Sequence, residues 1–251
     1  MRVAVYQSAS PMGDADTACA QAEAALRAAG AMGAAVLVLP EVWLQGYNHP
    51  DIPAQALLAG SAPLQRLAAA AKASGCALVT GYAEAAEGAV WNSALCIDAT
   101  GQVLANYRKV QLYGAREQSL YRPGTAYVTF DLAGQKAAIL ICYDIEFAPH
   151  VKALADDGVA LICVPTANMA PFTHVVRYTV PAMAANHGVA IAYANYCGAE
   201  GDLTYVGGSQ IVGPHGEVLA QAGDGPALLI ADIPLADPAR ISTQSRDLKR
   251  L

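Results

Sequence analysis

The 251-residue chain is 55% hydrophobic and 14% charged, which allows it to bury a large core and excludes a disordered chain. Lys and Arg number 15 against 21 Asp and Glu, so the formal net charge is −6, and the sequence has no basic tract. This balance argues against a nucleic-acid partner and against binding to an anionic membrane. No apolar run approaches the roughly 18 residues that a membrane-spanning helix needs, so no membrane association is expected.

The N-terminal segment and the cysteines indicate the compartment in which the protein works. Met1–Gln7 is typical of a β-strand and lacks the long apolar core and small-residue cleavage site of a signal peptide. The 6 cysteines include no Cys-x-x-Cys pair, and the 5 histidines form no cluster with them. We therefore expect a reduced cytoplasmic protein with no disulfide scaffold and no metal site.

Short apolar runs alternate with helical stretches along the chain. Strands are predicted at Arg2–Gln7, Ala35–Pro40, Cys76–Ala83, Trp91–Ile97, Val103–Tyr107, Tyr127–Leu132, Lys136–Cys142, Leu161–Pro165, Val189–Asn195, Ser209–Val212, Val218–Gln221 and Ala227–Ile233. Helices are predicted at Asp14–Met32, Pro63–Ser74, Pro149–Asp157 and Thr173–His187. Gly101 and Gly216 each lie in a turn between neighbouring strands, which indicates two hairpins. Because no linker or repeat divides the chain, residues 1–251 are predicted to form one domain, a layered α/β sandwich.

Cys142 stands at the boundary between an apolar strand and a polar segment. Ala138–Ile141 precedes it, and Tyr143–Glu146 follows it before a helix predicted near Pro149. A side chain at such a turn lies near unpaired helix N–H groups, which lower the pKa of a thiol and favour the reactive thiolate. The alternative is an inert cysteine buried in a strand, a description that also fits Cys163.

Two other apolar strands lead to an ionisable residue. Ala35–Leu39 leads to Glu41, and Val103–Tyr107 leads to Lys109. Sites in α/β proteins gather at strand ends, although each residue alone also fits a helix cap or a solvated strand terminus. Together, Glu41, Lys109 and Cys142 supply a base, a cation for an oxyanion and a nucleophile.

Three segments resemble the signature blocks of the nitrilase superfamily of carbon–nitrogen hydrolases. They are Leu39–Glu41 with Gly46–Asn48, Tyr107–Lys109 with Leu112–Gly114, and Leu140–Asp144, in the order and spacing of the family. The resemblance extends over essentially the whole chain. It implies a four-layer α-β-β-α sandwich that associates as a homodimer or a higher homo-oligomer.

The resemblance also implies roles for single residues. Cys142 matches the nucleophile of the family, Glu41 the general base and Lys109 the cationic stabiliser. Glu117, which precedes Tyr121–Gly124, matches the accessory glutamate. The implied reaction is hydrolysis of the C–N bond of a small-molecule amide through a cysteine thioester, without a metal or a cofactor.

Further segments are similar to bacterial amidases that act on 5-aminopentanamide, namely Ile141–Phe147, Val164–Pro171 and Tyr193–Glu200. Many relatives carry an arginine two residues after Cys-Tyr-Asp, where this chain has Glu146. A carboxylate there favours a substrate with an ammonium group, unless it caps the next helix or pairs with a structural arginine. The residues expected to bind the substrate are Tyr113, Tyr143, Glu146 and Asn168.

The sequence departs from these amidases at two places that concern the shape of the pocket. Ala148 stands where relatives continue Phe-Pro-Glu, and Ala182–Asn186 lacks the arginine and the glutamate of a relative's helix end. The alternative enzymes are a nitrilase and an N-carbamoyl-amine hydrolase with the same three residues. A non-catalytic ligand-binding relative is a further alternative, against which the intact set of Glu41, Lys109 and Cys142 argues. A redox sensor at Cys142 would need a resolving cysteine, and none is adjacent.

Overall fold

Fourteen β-strands form the centre of the protein, which a computed structural model describes over residues 1–247 and 249. The strands are β1 (Arg2–Gln7), β2 (Val36–Val38), β3 (Ala77–Ala86), β4 (Ala89–Ile97), β5 (Val103–Arg108), β6 (Thr129–Leu132), β7 (Gln135–Ile139), β8 (Leu161–Pro165), β9 (Ala190–Ala194), β10 (Cys197–Glu200), β11 (Leu203–Val206), β12 (Gln210–Val212), β13 (Val218–Gln221) and β14 (Ala227–Asp232). The helices are α1 (Ala15–Ala31), α2 (Ile52–Gln55), α3 (Ala62–Ser74), α4 (Gly114–Leu120), α5 (Ala148–Asp156), α6 (Val180–His187) and α7 (Gln244–Asp247). A 3₁₀-helix spans Cys142–Glu146, and a π-helical turn spans Val175–Thr179.

The strands are arranged in two 6-stranded sheets and one hairpin. The order in the first sheet is β14-β1-β2-β3-β4-β5, and the order in the second is β13-β12-β9-β8-β7-β6. Strands β1, β2 and β3 are parallel, as are β7, β8 and β9. Strand β4 is antiparallel to both β3 and β5, so β5 runs in the same direction as β2. The carboxyl ends of β2 and β5 therefore lie at one edge of the first sheet.

Alternating side chains of the first sheet enter two different cores, as the two-residue period of a strand requires. Val3 and Val5 of β1 belong to a core that also contains Ile191 of β9 in the second sheet. Ala4 lies between them in sequence and packs into a second core with Leu26 of α1. Buried residues of α5 and α6 join the first of these cores. The two sheets thus pack on each other with helices outside them, and the predicted layered α/β fold is confirmed.

Most predicted strands and helices are present, and both predicted hairpins are confirmed. Strands β4 and β5 pair around Gly101, and β12 and β13 pair around Gly216. The predicted helix at Thr173–His187 is continuous but contains the π-helical turn. No helix within residues 1–247 and 249 combines the length and the apolar character needed to cross a bilayer.

Several features of the sequence analysis were wrong or incomplete, and the short helices α2 and α7 were not predicted. The strand predicted to reach Cys142 ends at Ile139, and the 3₁₀-helix begins at Cys142 itself. The hairpin of β10 and β11 was missed because Gly198, Ala199 and Glu200 have low β-propensity. Helix α4 was missed because it is only 7 residues long and begins with a glycine, which is a poor helix former.

Candidate active site

Three ionisable residues gather where the chain leaves the carboxyl ends of strands. Glu41 follows β2, and its backbone N–H donates to the carbonyl of Thr166 beyond the end of β8 (3.2 Å). Lys109 follows β5 directly, and its backbone N–H donates to the carbonyl of Asn92 in β4 (2.8 Å). Cys142 lies beyond the end of β7. The two sheets therefore contribute to one site, and backbone hydrogen bonds fix Glu41 and Lys109 in place.

Lys109 lies between two carboxylates in the interior of the protein. Its Nζ donates to Oε1 of Glu41 (2.7 Å) and to Oε1 of Glu117 (2.8 Å). The side chains of Lys109 and Glu41 are 0% exposed, and that of Glu117 is 1% exposed. An ammonium group has three donors, and Nζ has two acceptors among the described residues, so one N–H remains for a further acceptor such as an oxyanion.

The electrostatics of this cluster make Glu41 a proton acceptor near neutral pH. Burial raises the pKa of Glu41 to about 7, while Lys109 opposes the rise and the charge of Glu117 adds to it. Burial acts to lower the pKa of Lys109, but the charges of Glu117 and Glu41 outweigh burial and hold that pKa well above its ordinary value. Lys109 is therefore a permanent cation, whereas Glu41 gains and loses a proton in the range where a general base works best.

Glu117 lies in α4 with both carboxylate oxygens engaged. Its Oε1 also accepts from the hydroxyl of Tyr47 (2.8 Å), and its Oε2 accepts from the backbone N–H of Tyr113 (2.8 Å). Arg116, the neighbouring residue in α4, donates to the carbonyls of Tyr47 (2.9 Å) and His49 (2.8 Å). Helix α4 thus holds Lys109 and two tyrosines near one another.

Cys142 is the first residue of the 3₁₀-helix, and its backbone has a φ of 47°, in the left-handed region. Non-glycine residues in this conformation are strained, and such strain concentrates at functional sites. The side chain is partly exposed, unlike the five other free cysteines, which are all buried. Cys142 lies in the wall of a cavity, between buried Ile141 and half-buried Tyr143.

The prediction of a lowered thiol pKa at Cys142 was wrong. Burial raises the pKa of the Cys142 thiol well above its ordinary value, and the negative charge of Glu41 adds to the rise, although Lys109 opposes it. The 3₁₀-helix that begins at Cys142 is only 5 residues long, so it offers little helix dipole. The resting group is a thiol, which needs a base to become a nucleophile.

Asp144 connects the segment that carries Cys142 with the segment that carries Lys109. Its buried carboxylate accepts from the backbone N–H of Ile141 (2.9 Å), from the hydroxyl of Tyr107 (2.8 Å) and from the backbone N–H of Gln111 (2.7 Å). Ile141 directly precedes the cysteine, whereas Tyr107 and Gln111 flank the lysine on either side. One carboxylate therefore sets the spacing between the two segments.

A cavity of about 210 Å³ opens beside Cys142. All four residues expected to bind the substrate line it, and aromatic rings form much of its wall. The ring centroids of Tyr113 and Tyr143 lie 5.3 Å apart, and those of Tyr113 and Phe172 lie 6.0 Å apart. The lining residues are Tyr47, Tyr113, Cys142, Tyr143, Glu146, Ala167, Asn168, Met169, Phe172 and His174.

Two polar residues of the cavity differ in whether they are free to meet a ligand. Nδ2 of Asn168 already donates to the carbonyl of Phe172 (3.1 Å), and its backbone N–H donates to Asn195 (2.8 Å). The half-buried carboxylate of Glu146, in contrast, makes no hydrogen bond within residues 1–247 and 249. Burial raises the pKa of Glu146, and the nearby charges of His174 and Lys109 oppose the rise. Glu146 is thus a carboxylate that an incoming cation would stabilise.

Sequence reasoning missed Asn92, Tyr47 and Asp144 as residues of the site. Nδ2 of Asn92 donates to Oε1 of Glu41 (2.7 Å) from the middle of β4, where a lone asparagine gives no signal. Tyr47 and Asp144 both lie inside the blocks that carry the family resemblance, and both are buried. For Tyr47 and Asp144, the signal that could have identified them is their place in the same sequence blocks as Glu41 and Cys142.

Comparisons with known proteins show which family the chain resembles. The sequence profile of the carbon–nitrogen hydrolase family matches residues 2–241. A "Hydrolase in pqqF 5'region" from Pseudomonas protegens is 40% identical over 100% of this chain and 87% of its own length. An "(R)-stereoselective amidase" from a Pseudomonas species is 36% identical over 75% of this chain and 69% of its own length.

A solved structure gives the same result. The amidase from Nesterenkonia sp. AN1 superposes with a TM-score of 0.89 and 34% identity, covering 99% of this chain and 96% of that one. Mutants of that amidase at its active-site cysteine have been solved in complex with butyramide and, with a second mutation, with acrylamide.

The chain belongs to the carbon–nitrogen hydrolase family, that is, to the nitrilase superfamily. It is a hydrolase of the amidase type. The family resemblance of the sequence is therefore confirmed.

Proposed function

We propose that the protein hydrolyses a small aliphatic primary amide with a terminal amino group, giving a carboxylate and ammonia through a thioester on Cys142. The observation that carries the chemistry is the fully buried contact of Lys109 with Glu41 and Glu117 near a partly exposed cysteine. The proposed amino group of the substrate rests on Glu146, whose carboxylate lines the cavity. In this proposal Cys142 is the nucleophile, Glu41 the general base and Lys109 the cation that stabilises the oxyanion.

The first half of the reaction forms the thioester and releases ammonia. Glu41 takes the thiol proton while the sulfur of Cys142 attacks the carbonyl carbon of the amide, so the carbonyl π electrons move to oxygen. The free N–H of Lys109, together with the backbone N–H of Tyr143, stabilises the resulting oxyanion. The C–N bond then breaks as Glu41 returns the proton to the leaving nitrogen, which departs as ammonia.

The second half of the reaction restores the enzyme. A water molecule loses a proton to Glu41 and attacks the thioester carbonyl. The oxyanion again lies against Lys109, and the C–S bond breaks when it collapses. The sulfur recovers its proton from Glu41, and the product leaves as a carboxylic acid that ionises in water.

The carboxylate of Glu146 is the reason for proposing an amino group at the far end of the substrate. Its carboxylate is half-buried beside aromatic walls, where an ammonium group gains more from ion pairing than it does in water. A carboxylate-bearing substrate would instead place two negative charges in a cavity of about 210 Å³. We therefore propose 5-aminopentanamide and amides of similar length as the substrate class. The butyramide complex of the Nesterenkonia amidase supports short aliphatic amides in general.

The test is an ammonia-release screen over primary amides, nitriles and N-carbamoyl amines. Ammonia from amides alone supports the proposal, and activity confined to nitriles overturns it. Release of carbon dioxide together with ammonia identifies an N-carbamoyl-amine hydrolase and also overturns the amide assignment. Adding hydroxylamine during turnover tests the thioester, because an acyl-enzyme transfers its acyl group to give a hydroxamate. No hydroxamate from an amide that is otherwise hydrolysed would count against Cys142 as an acyl carrier.

A further inference from the structure

Asn92 contacts both Glu41 and Lys109 from the middle of β4. Its Nδ2 donates to Oε1 of Glu41 (2.7 Å), and its backbone carbonyl accepts from the backbone N–H of Lys109 (2.8 Å). The residue is fully buried. A single side chain and its own backbone therefore join the strand-end segments that carry the base and the cation.

The two carboxylate oxygens of Glu41 have very different surroundings. Oε1 accepts from both Asn92 and Nζ of Lys109, each at 2.7 Å. Oε2 is equally buried but has no hydrogen-bond partner within residues 1–247 and 249. A buried polar atom without a partner is rare and calls for an explanation. Here the free acceptor belongs to the residue that must accept a proton.

The amide of Asn92 is itself only half satisfied. Its Oδ1 is buried and lacks a partner in the described part of the chain. An asparagine whose role was to stabilise the strand would place both ends of its amide against partners. Asn92 instead directs its donor to the carboxylate and leaves its acceptor unpaired, which indicates that the contact with Glu41 fixes its orientation.

We infer that Asn92 is a positioning residue that directs Glu41, so that Oε2 is the oxygen that takes the proton from Cys142 and returns it to the leaving nitrogen. The inference rests on the proposed function, in which Glu41 is the general base. Asn92 transfers no proton itself. Two donors on Oε1 fix the plane of the carboxylate. The lone pairs of Oε2 remain free to accept a proton, first from the thiol of Cys142 and later from water.

A hydrogen bond to the ionised form of an acid also lowers its pKa. Asn92 acts in this direction on Glu41, against the effect of burial. Removing the donor therefore raises the pKa of Glu41 further. The reaction needs ionised Glu41. The acidic limb of the pH profile should therefore lie at a higher pH in the variant than in the wild type.

The experiment measures kcat/KM against pH for Asn92→Leu with an uncharged amide. Leu has nearly the shape of Asn but no donor. The acidic limb is expected to move up by about one pH unit, with a loss of about 10-fold or more at pH 6 and a smaller loss at pH 9. The loss should fall mainly on kcat. Thr80→Val is the matched control, because Thr80 is buried in the adjacent strand and its hydroxyl has no partner among the described residues.

Folding is checked by thermal unfolding, and Asn92→Ala supplies a second variant if Asn92→Leu is unstable. An acidic limb at the wild-type position in a folded Asn92 variant overturns the inference, as does an equal upward shift in Thr80→Val. Glu41→Gln separates this failure from failure of the proposed function. If Glu41→Gln keeps wild-type kcat, Glu41 is not the base and both fail together. If Glu41→Gln is inactive and the folded Asn92 variant is unshifted, only the role of Asn92 is lost.

Discussion

The hydroxyl of Tyr107, two residues before Lys109, donates a 2.8 Å hydrogen bond to the carboxylate of Asp144, two residues after Cys142. Both groups are fully buried. The bond crosses from the first sheet to the strand-end turn of the second sheet, so it ties together the segments that carry the cation and the sulfur. The spacing between Lys109 and Cys142 is thus set by a contact that neither residue makes itself.

Asp144→Asn should impair turnover more than it impairs binding. An amide replaces one acceptor oxygen by donors, so at least one of the N–H groups of Ile141 and Gln111 loses its buried acceptor. We expect a loss of about 1–3 kcal/mol in the free energy of unfolding, together with a fall of at least about 10-fold in kcat. Tyr107→Phe removes the hydroxyl donor alone and leaves the two backbone bonds intact, so it should lower kcat less than Asp144→Asn does. Equal kcat values for Asp144→Asn and the wild type would show that the carboxylate of Asp144 does not position the site.

Cys142→Ala should abolish turnover and leave the fold intact. The substitution removes one sulfur at the edge of a cavity and retains the Cβ. The free energy of unfolding should therefore change by less than about 1 kcal/mol. Cys163→Ala is the contrasting variant. That cysteine is fully buried in β8, so its loss should lower stability but leave activity. Ammonia release and thermal unfolding, measured on both variants, check the assignment, and amide hydrolysis by folded Cys142→Ala would refute it.

The sequence identified the reactive residues but not their supports. Glu41 and Lys109 follow strands whose carboxyl ends lie at one edge of the first sheet, so their proximity could be predicted. Cys142 follows a strand of the second sheet, and only the family resemblance grouped it with the other two. The contact of Asn92 with Glu41 could not be predicted, because it depends on the register of β4 in the sheet. The direction of the thiol pKa was also out of reach, since it depends on how deeply Cys142 is enclosed and on the charge of Glu41. Burial and register are properties of the folded chain.

Lys109→Ala should affect stability as well as activity. It leaves the buried carboxylates of Glu41 and Glu117 without their cation, and breaking a buried ion pair costs about 3–5 kcal/mol. Loss of the oxyanion donor should lower kcat by at least about 10²-fold. The double variant Lys109→Ala/Glu117→Gln removes one of the two carboxylate charges and should recover part of the stability but none of the activity. Denaturant unfolding and kcat are measured for both. Recovery of activity in the double variant would show that Lys109 serves stability alone.

The pH profile should have an acidic limb set by Glu41. Burial raises the pKa of this carboxyl to about 7, and the base acts only when ionised, so kcat/KM should rise with pH and reach half its maximum near that value. The pKa values of Lys109 and Cys142 are both held well above their ordinary values. No alkaline limb is therefore expected below the ordinary pKa range of lysine. The measurement should use an uncharged amide such as pentanamide. Such a substrate has no group that titrates and forms no ion pair with Glu146, so protonation of Glu146 should not alter the profile. A profile that is flat from pH 5 to 9 would exclude Glu41 as the base.

The choice of substrate tests Glu146. If its carboxylate binds an ammonium group, 5-aminopentanamide should be cleaved with a higher kcat/KM than pentanamide. The advantage should be about 1.5–3 kcal/mol for a charge-assisted, partly desolvated pair, or roughly 10- to 150-fold. Burial raises the pKa of free Glu146, and so the advantage should shrink as the pH falls and that carboxyl becomes protonated.

Glu146→Gln keeps the shape of the side chain and removes its charge. It should erase most of the preference for 5-aminopentanamide and leave pentanamide nearly unaffected, because only the charged substrate loses a partner. Glu217→Gln, at a partly exposed carboxylate outside the cavity, is the matched control and should alter neither value. If Glu146 instead supports the turn that begins at Cys142, both substrates should lose kcat/KM to the same extent through displacement of the sulfur. Measuring the two amides with the three proteins distinguishes these roles, and an equal loss on both substrates would remove the amino group from the proposed substrate.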